Sequence, residues 1–395
     1  MTDTRTPRVL MITGAYYPEV SGGGLQCKAI VDALRSQARF AVLTTCTDSA
    51  LPSDDEVNGT PVRRVYIDVS KPGSRVLAAV GFIRQFMALS STFDIVHLHG
   101  YSQKSTLVVL LAKLFRKRVI LTLHTAGQDE PASVKAQGTL AYWAYSHADL
   151  WIAISARLAD SIARAGLPVA RVWRGSNGLD VRRFRPAETG EQAVLRGKLH
   201  LPANGPVILF VGFFSADKGP HVLFEAWRRI AATAAAGSSL LFIGATTSSY
   251  FEVEPRLAHD IRHEAERDGL AGRVLFVEET HAIEEYYRAS DIFVFPSRRE
   301  AFGMALVEAM ASGLACIASR LPGATDEIIT DHQTGVFVEP HDVPALSSAL
   351  RQLLGDRRLA AELGRAARAS VEQRFSIEQT AQRMLEAYRH VAEPA

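Results

Sequence analysis

The chain has 395 residues, 47% hydrophobic and 22% charged, with a formal net charge of +2. That length suits two domains with a full core each, and the composition excludes wholesale disorder. The small net charge conceals a split: residues 1–190 hold 23 Lys/Arg against 15 Asp/Glu, and residues 191–395 hold 21 against 27. A basic front half and an acidic back half are expected to meet different partners, with no nucleic acid among them. Cys27, Cys46 and Cys316 are widely spaced and form no C-x-x-C pair, which argues against a disulfide framework or a cysteine zinc site and fits a reducing cytoplasm. The first apolar run, Val9–Ile12, is too short for a signal peptide, and no window reaches about 18 uninterrupted apolar residues.

In chain order, short apolar strands alternate with longer amphipathic segments. Strands are predicted at Arg8–Thr13, Phe40–Thr45, Val62–Ile67, Ile95–His99, Val119–His124 and Leu150–Ile154. A helix is predicted over Gly24–Ala38, with Ala29, Ile30, Ala33 and Leu34 on one face. Continuous apolar runs bounded by polar residues are what parallel strands buried on both faces require, so the first half reads as a doubly wound α/β domain. Residues 181–206 are polar, rich in Pro and Gly, and read as a linker with one short helix near Gln192–Leu199. The alternation then resumes with strands at Val207–Val211, Ser239–Ile243, Arg273–Val277, Ile292–Phe295 and Ala315–Ala318, and a helix over His221–Ala235. Val343–Val391 reads as helical, interrupted near Gly355 and Phe375–Ser376. The expected architecture is two Rossmann-like domains, 1–185 and 186–375, facing a cleft, with a final helix at 376–395.

The segment most informative about chemistry is P-S-R-R-E-A-F-G-M-A-L-V-E, Pro296–Glu308. It follows a strand and opens a helix near Gly303. Backbone amides from Ala301, Phe302, Gly303, Met304 and Ala305 would lie at the helix N-terminus, where an anion is favoured. Glu308 would sit about 7.5 Å along the axis from Gly303. A diphosphate on the helix end would therefore place an attached ribose near Glu308 and its other substituent near Glu300, and carboxylates accept hydrogen bonds from sugar hydroxyls. In V-G-F-F-S-A-D-K-G-P, Val211–Pro220, a strand ends at Gly212 and Lys218 stands at a helix start, where it can neutralise a diphosphate or be a surface lysine. Gly22, Gly23 and Gly24 join the first strand to the first helix and would let backbone approach an anion, though a flexible loop is the alternative. No dinucleotide or Walker glycine pattern is present. Asn177 in N-G-L-D either shapes the cleft or starts the linker turn. His124 closes a strand, and His97 and His99 flank Leu98 at another strand end. His259 and His263 stand at helical spacing but lack the glutamate of a zinc protease motif and read as a solvated face.

With its two glutamates separated by seven residues, the chain resembles the retaining glycosyltransferases of family 4. The resemblance extends over nearly the whole chain and implies the GT-B fold, with the last helix crossing back to the first domain. It also implies a UDP- or GDP-sugar as donor, retention of anomeric configuration, and no metal or other cofactor. Glu300 and His124 would contact the donor sugar, Glu308 the ribose, and Lys218 the diphosphate. Gly22–Gly24 would face the donor phosphates and the acceptor. One departure stands out: the family's arginine after the first glycine of its Gly-Arg pattern is Phe213 here, and Arg298 or Arg299 would have to supply the missing cation. The implied acceptor is a glycan or a lipid-linked molecule of bacterial surface polysaccharide, lipopolysaccharide or glycolipid. Two other readings share the fold or the site, a nucleotide-sugar 2-epimerase and a non-catalytic nucleotide-sugar-binding subunit. Lys104, Lys113, Arg116, Lys117 and Arg118 lie in an acid-free stretch interleaved with leucines and valines, which reads as a peripheral contact with an anionic membrane on its cytoplasmic face, or as a buried helix with a basic end.

Overall fold

The structure, a computed structural model, describes residues 6–19, 21–247 and 253–393. They form two compact units. One runs to Gly178 and resumes at Ile377, and the other spans Leu179–Ser376.

The first unit is built on an eight-stranded sheet of β1 (Arg8–Thr13), β2 (Arg39–Cys46), β3 (Asp54–Val57), β4 (Thr60–Tyr66), β5 (Ile95–His99), β6 (Arg118–Leu123), β7 (Leu150–Ala153) and β8 (Val172–Arg174). Their order is β3-β4-β2-β1-β5-β6-β7-β8. All pairs are parallel except β3–β4, the hairpin at one edge. The central strands read as unbroken apolar runs because both faces are covered, and every residue of β5 and β7 is buried. The chain leaves β1 toward β2 on one side and β5 on the other, so the winding reverses between β1 and β5. In open α/β sheets the crevice beyond such a reversal is the usual ligand site.

The first helix spans Gly22–Leu34, so the three glycines form its first turn rather than preceding it. The reason is Ser21, which caps the helix by accepting the Gly24 N–H at 3.1 Å. The last helix, Ile377–Ala392, belongs to this unit. Its Ile377, Met384, Tyr388 and Val391 share a core with Val9, Met11, Ile30 and Val31.

The second unit carries β9 (Val207–Val211), β10 (Ser239–Ile243), β11 (Val274–Val277), β12 (Ile292–Phe295), β13 (Ala315–Ser319) and β14 (Val336–Val338). All are parallel, in the order β11-β10-β9-β12-β13-β14, with the reversal between β9 and β12. Residues 181–206 are not a free linker. Phe184 and Leu195 are buried, and the helix Glu191–Lys198 docks through Arg196, which donates to Ala289 O at 2.9 Å, Gly205 O at 2.9 Å and Asp291 Oδ2 at 2.6 Å. This packing also moves the boundary from the expected 185 to Gly178. Leu179 already pairs with the far end of the second unit, its N–H donating to Phe375 O at 3.0 Å. No helix among the described residues is long and apolar enough to cross a membrane.

Candidate functional site

In the second unit the reversal point gathers the loop after β9 and the loop after β12. They touch at Gly219, whose φ is +71°, and a Cβ there would lie 2.5 Å from Pro296 O, so only glycine fits. The β9 loop is pinned on its other side by Gly244, where a Cβ would lie 2.0 Å from Gly212 O, and by the Gly212 N–H donating to Ile243 O at 2.9 Å. From this frame Lys218 reaches Glu300 and forms an ion pair with it, and the Ser297 hydroxyl donates to the same Glu300 oxygen at 3.2 Å. The Lys218 side chain is 25% exposed and that of Glu300 is 11% exposed, so the pair sits at the rim with one side open to solvent.

Beyond Glu300 the chain turns at Phe302 and Gly303. Phe302 is buried edge-on against Phe375, which anchors the turn from beneath. Gly303 adopts φ +114° and precedes the helix Met304–Ala311. The first amides of a helix have no carbonyl in a preceding turn to bind, so this end favours an anion. Glu308, one turn on, accepts a hydrogen bond from the buried Tyr287 hydroxyl at 3.0 Å. Burial pushes its carboxyl up to about 7, against the lowering effect of Tyr287 and of the nearby Arg183 charge, while Glu284 raises it further.

Arg298 and Arg299 are both drawn to one carboxylate. Arg298 Nε lies 2.5 Å from Asp217 Oδ1, and Arg299 Nη2 lies 2.9 Å from Asp217 Oδ2. The Arg298 N–H also donates to Asp217 O at 2.8 Å. Asp217, held below its usual carboxylate range chiefly by Arg298, thus fixes two cations beside Lys218, and nothing in its immediate sequence announced this. Phe213, in the position expected for a cation, is 41% exposed.

In the first unit the reversal point gathers a second group. Gly23 lies over His99 and His124: a Cβ on it would be 3.8 Å from His124 Cδ2 and 3.8 Å from His99 O. Gly24 approaches Ala15 O so closely that a Cβ would be 2.3 Å away, whereas Gly22 has open space around it. His124 and His99 stack, and His99 Nδ1 and His124 Nε2 share a hydrogen bond of 3.1 Å. His97 is turned into the core, bonded to Tyr388 Oη at 2.8 Å and Thr122 Oγ1 at 2.7 Å. Burial pushes His124 down to about 4 and His99 well below its ordinary value, so both imidazoles are neutral near pH 7. Asn177 is buried beside Gly178, which exchanges two hydrogen bonds with the Gln26 side chain of the first helix, at 2.9 and 3.0 Å.

The residue that sequence reasoning missed here is Asp129. Its carboxylate, 2% exposed, accepts the N–H groups of Tyr101 at 2.7 Å, His124 at 2.7 Å and Thr125 at 2.8 Å. It therefore ties the ends of β5 and β6 together and sets the backbone that carries His124.

The basic stretch near 104–118 is not a free cationic face. Lys104 is turned inward, donating to Thr13 O at 2.7 Å and Thr45 Oγ1 at 3.1 Å, and burial pushes its ammonium down to about 8. Lys113 and Arg118 both pair with Asp149, at 2.8 and 3.3 Å, and Lys117 donates to Phe93 O at 2.7 Å. Arg116 is exposed, and the other four are partly buried. Among the described residues no group of three or more His, Cys, Asp or Glu side chains is arranged to hold a metal ion. A cavity of about 640 Å³ in the second unit, lined by Pro206, Ile292 and Ala315 among others, opens at the opposite ends of the strands from Lys218 and Glu300.

Residues 21–178 match the family model described as glycosyl transferase 4-like domain, and residues 191–370 match that of glycosyl transferases group 1. The chain is 26% identical to a D-inositol 3-phosphate glycosyltransferase of Xylanimonas cellulosilytica, with 98% of each chain covered. It is 28% identical to an alpha-maltose-1-phosphate synthase of Mycolicibacterium smegmatis, over 98% of this chain and 100% of that one. Among solved structures, sucrose-phosphate synthase from Thermosynechococcus elongatus superposes with a TM-score of 0.80 at 24% identity, covering 98% of this chain and 99% of that one. Anabaena HepE in complex with UDP and glucose does so with a TM-score of 0.77 at 19% identity, covering 96% and 99%. The two Rossmann-like units are those of the GT-B fold. The chain belongs to glycosyltransferase family 4 and is a glycosyltransferase.

Proposed function

We propose that the second unit binds a nucleotide-diphospho-sugar and that the sugar passes, with retention of configuration, to an acceptor held by the first unit. The observation that carries this reading is the Lys218–Glu300 pair at the β9/β12 reversal, with a helix N-terminus and Glu308 immediately beyond it. Lys218 and the amides of Ala301–Ala305 would balance the diphosphate, Glu308 would accept the ribose hydroxyls, and Glu300 would accept those of the donor sugar. Arg298 and Arg299, oriented by Asp217, would supply the positive charge that Phe213 cannot. No side chain is positioned in this reading as a covalent nucleophile. The acceptor oxygen attacks from the face the diphosphate leaves, and a diphosphate oxygen takes its proton, so the protein's part is to stabilise the departing charge. The chemistry uses no bound metal.

His124, neutral and backed by His99, would hydrogen-bond the donor sugar, with Gly22–Gly24 and Asn177 shaping the acceptor side. Similarity to a D-inositol 3-phosphate glycosyltransferase supports a phosphorylated polyol as one acceptor class; a glycan or lipid-linked acceptor of a bacterial surface saccharide is the other, and the enzyme would work in the cytoplasm. Phe213 is the one feature that favours a non-catalytic nucleotide-sugar-binding subunit. The Lys218–Glu300 pair favours catalysis.

A thermal-shift screen against UDP-, GDP- and ADP-sugars tests the donor assignment. One base should raise the melting temperature in proportion to RT ln(1 + [L]/Kd), about 2.7 kcal/mol of stabilisation at a hundredfold excess over Kd. No shift with any of them would remove the donor site.

A further inference from the structure

In the second unit the helix Ile283–Ala289 carries two adjacent tyrosines, and only one of them reaches the candidate site. Tyr287 is wholly buried, whereas Tyr286 is only partly so. The Tyr287 ring packs edge-on against Phe184, with centroids 5.9 Å apart, and at a tilt against Phe293, also at 5.9 Å. Two aromatic neighbours in a close-packed interior fix the ring, and with it the position of the hydroxyl.

That hydroxyl has one proton and two acceptors in reach. Glu308 Oε2 lies at 3.0 Å and Ala305 O at 3.2 Å. An ionised carboxylate is the stronger acceptor, so it takes the proton while Glu308 is charged; the Ala305 carbonyl can take it when Glu308 is protonated. The donor is thus satisfied in either state, and its stronger bond goes to the charged one.

The Glu308 carboxylate has no other hydrogen-bond donor among the described residues. The titratable and charged groups that face the pair are Arg183, Glu284 and Cys316. Arg183 and Glu284 form an ion pair at 2.8 Å and act on Glu308 in opposite directions. Burial keeps Cys316 a neutral thiol and holds the Tyr287 phenol well above its ordinary value, so both stay protonated through the neutral range. Against the cost of burying a charge, the Tyr287 hydroxyl is the one group dedicated to Glu308.

We infer that Tyr287 is a positioning residue for the nucleotide-sugar: its hydroxyl holds Glu308 Oε2, keeps the buried carboxylate charged, and leaves Oε1 to the ribose. This role rests on the reading that Glu308 accepts the ribose hydroxyls, and it adds the group that makes that acceptor available near neutral pH.

Tyr287→Phe keeps the ring and removes only the hydroxyl. Losing a hydrogen bond to a charged group should move the Glu308 titration, at about 7 in the wild type, up by about one pH unit. Calorimetric titration uses UDP-, GDP- or ADP-glucose, whichever raises the melting temperature most. Binding should be about tenfold weaker than wild type near pH 6 and within about twofold of it near pH 8.5, where both carboxylates are charged. Weakening by one factor at every pH, or none at any pH, would overturn the inference. Melting without ligand reads the same pair independently of the donor. The deficit of Tyr287→Phe against wild type should grow between about pH 5 and pH 8.5, because a folded pKa raised further deepens the loss of stability at high pH. In a Glu308→Gln background the deficit should not vary with pH. A deficit independent of pH in the first comparison, or one that still grows in the second, would overturn it as well. A deficit that grows as expected, beside a wild-type affinity indifferent to pH, would overturn the donor reading instead, and with it the part of the pair in binding.

Discussion

Replacing Lys218 by alanine is expected to lower kcat for sugar transfer by about 10²- to 10³-fold, the range seen when one preorganised stabiliser of developing charge is removed. Two effects combine. The departing diphosphate loses its nearest fixed ammonium, and Glu300, left without its partner, opposes the anionic donor electrostatically, so KM rises as well. Glu300→Gln separates the two. The amide frees Lys218 from its ion pair, so a nucleoside diphosphate lacking the sugar should bind as well as to wild type or more tightly. Turnover should nevertheless fall by about 10²-fold, because the acceptor of the sugar hydroxyls is weakened. Steady-state kinetics together with calorimetric titration of the diphosphate distinguish these outcomes. Wild-type turnover in both variants would show that the ion pair is only structural.

The second large effect concerns Glu308 and pH. Its carboxyl titrates at about 7, through burial, with the Tyr287 hydroxyl, Arg183 and Glu284 as the groups facing it. In the unfolded chain a glutamate titrates near 4.3. The folded pKa is therefore raised, and between the two values the folded state holds a proton that the unfolded state has lost. Stability falls as pH rises through that window, and the full penalty is present above about pH 7. Glu308→Gln, neutral throughout, should melt with wild type near pH 4. By pH 8 it should melt higher, by at least about 2 °C. Ligand affinity runs the other way: ribose hydroxyls need the ionised carboxylate, so wild-type affinity for the nucleotide-sugar should strengthen as pH rises through about 7. The variant should bind weakly and without that pH dependence. A nucleotide-sugar suits this titration because its diphosphate, esterified at both ends, does not itself titrate there.

What could be read from sequence divides along physical lines. Strands buried on both faces, such as Ile95–His99 and Ile292–Phe295, announce themselves as apolar runs. The edge strand Asp54–Val57 does not, because three of its four residues are acidic and only Val57 is buried. The short strands Val172–Arg174 and Val336–Val338 carry too few residues to show a period. Polar segments misled where their partners lie far along the chain. Arg196 looked like linker until Asp291 received it, and for Lys113 and Arg118 a membrane face and a buried helix with a basic end stayed open until Asp149 paired with both. Glu300 and Glu308 were legible because one strand–loop–helix segment carries both. Asp129, Asp217 and Tyr287 were not, because each acts on a residue that another element presents, and no local spacing records that.

Transfer of a sugar from a nucleotide donor to an acceptor without inversion is the reaction at stake. Proton NMR of a reaction run with an anomerically pure α-linked nucleotide-sugar tests it most directly, using the base that the thermal-shift screen selects. The prediction is an α-linked product that forms only when acceptor is present, with one nucleoside diphosphate released per bond made. A β-linked product, conversion of the donor sugar with no acceptor, or tight binding without turnover would contradict it.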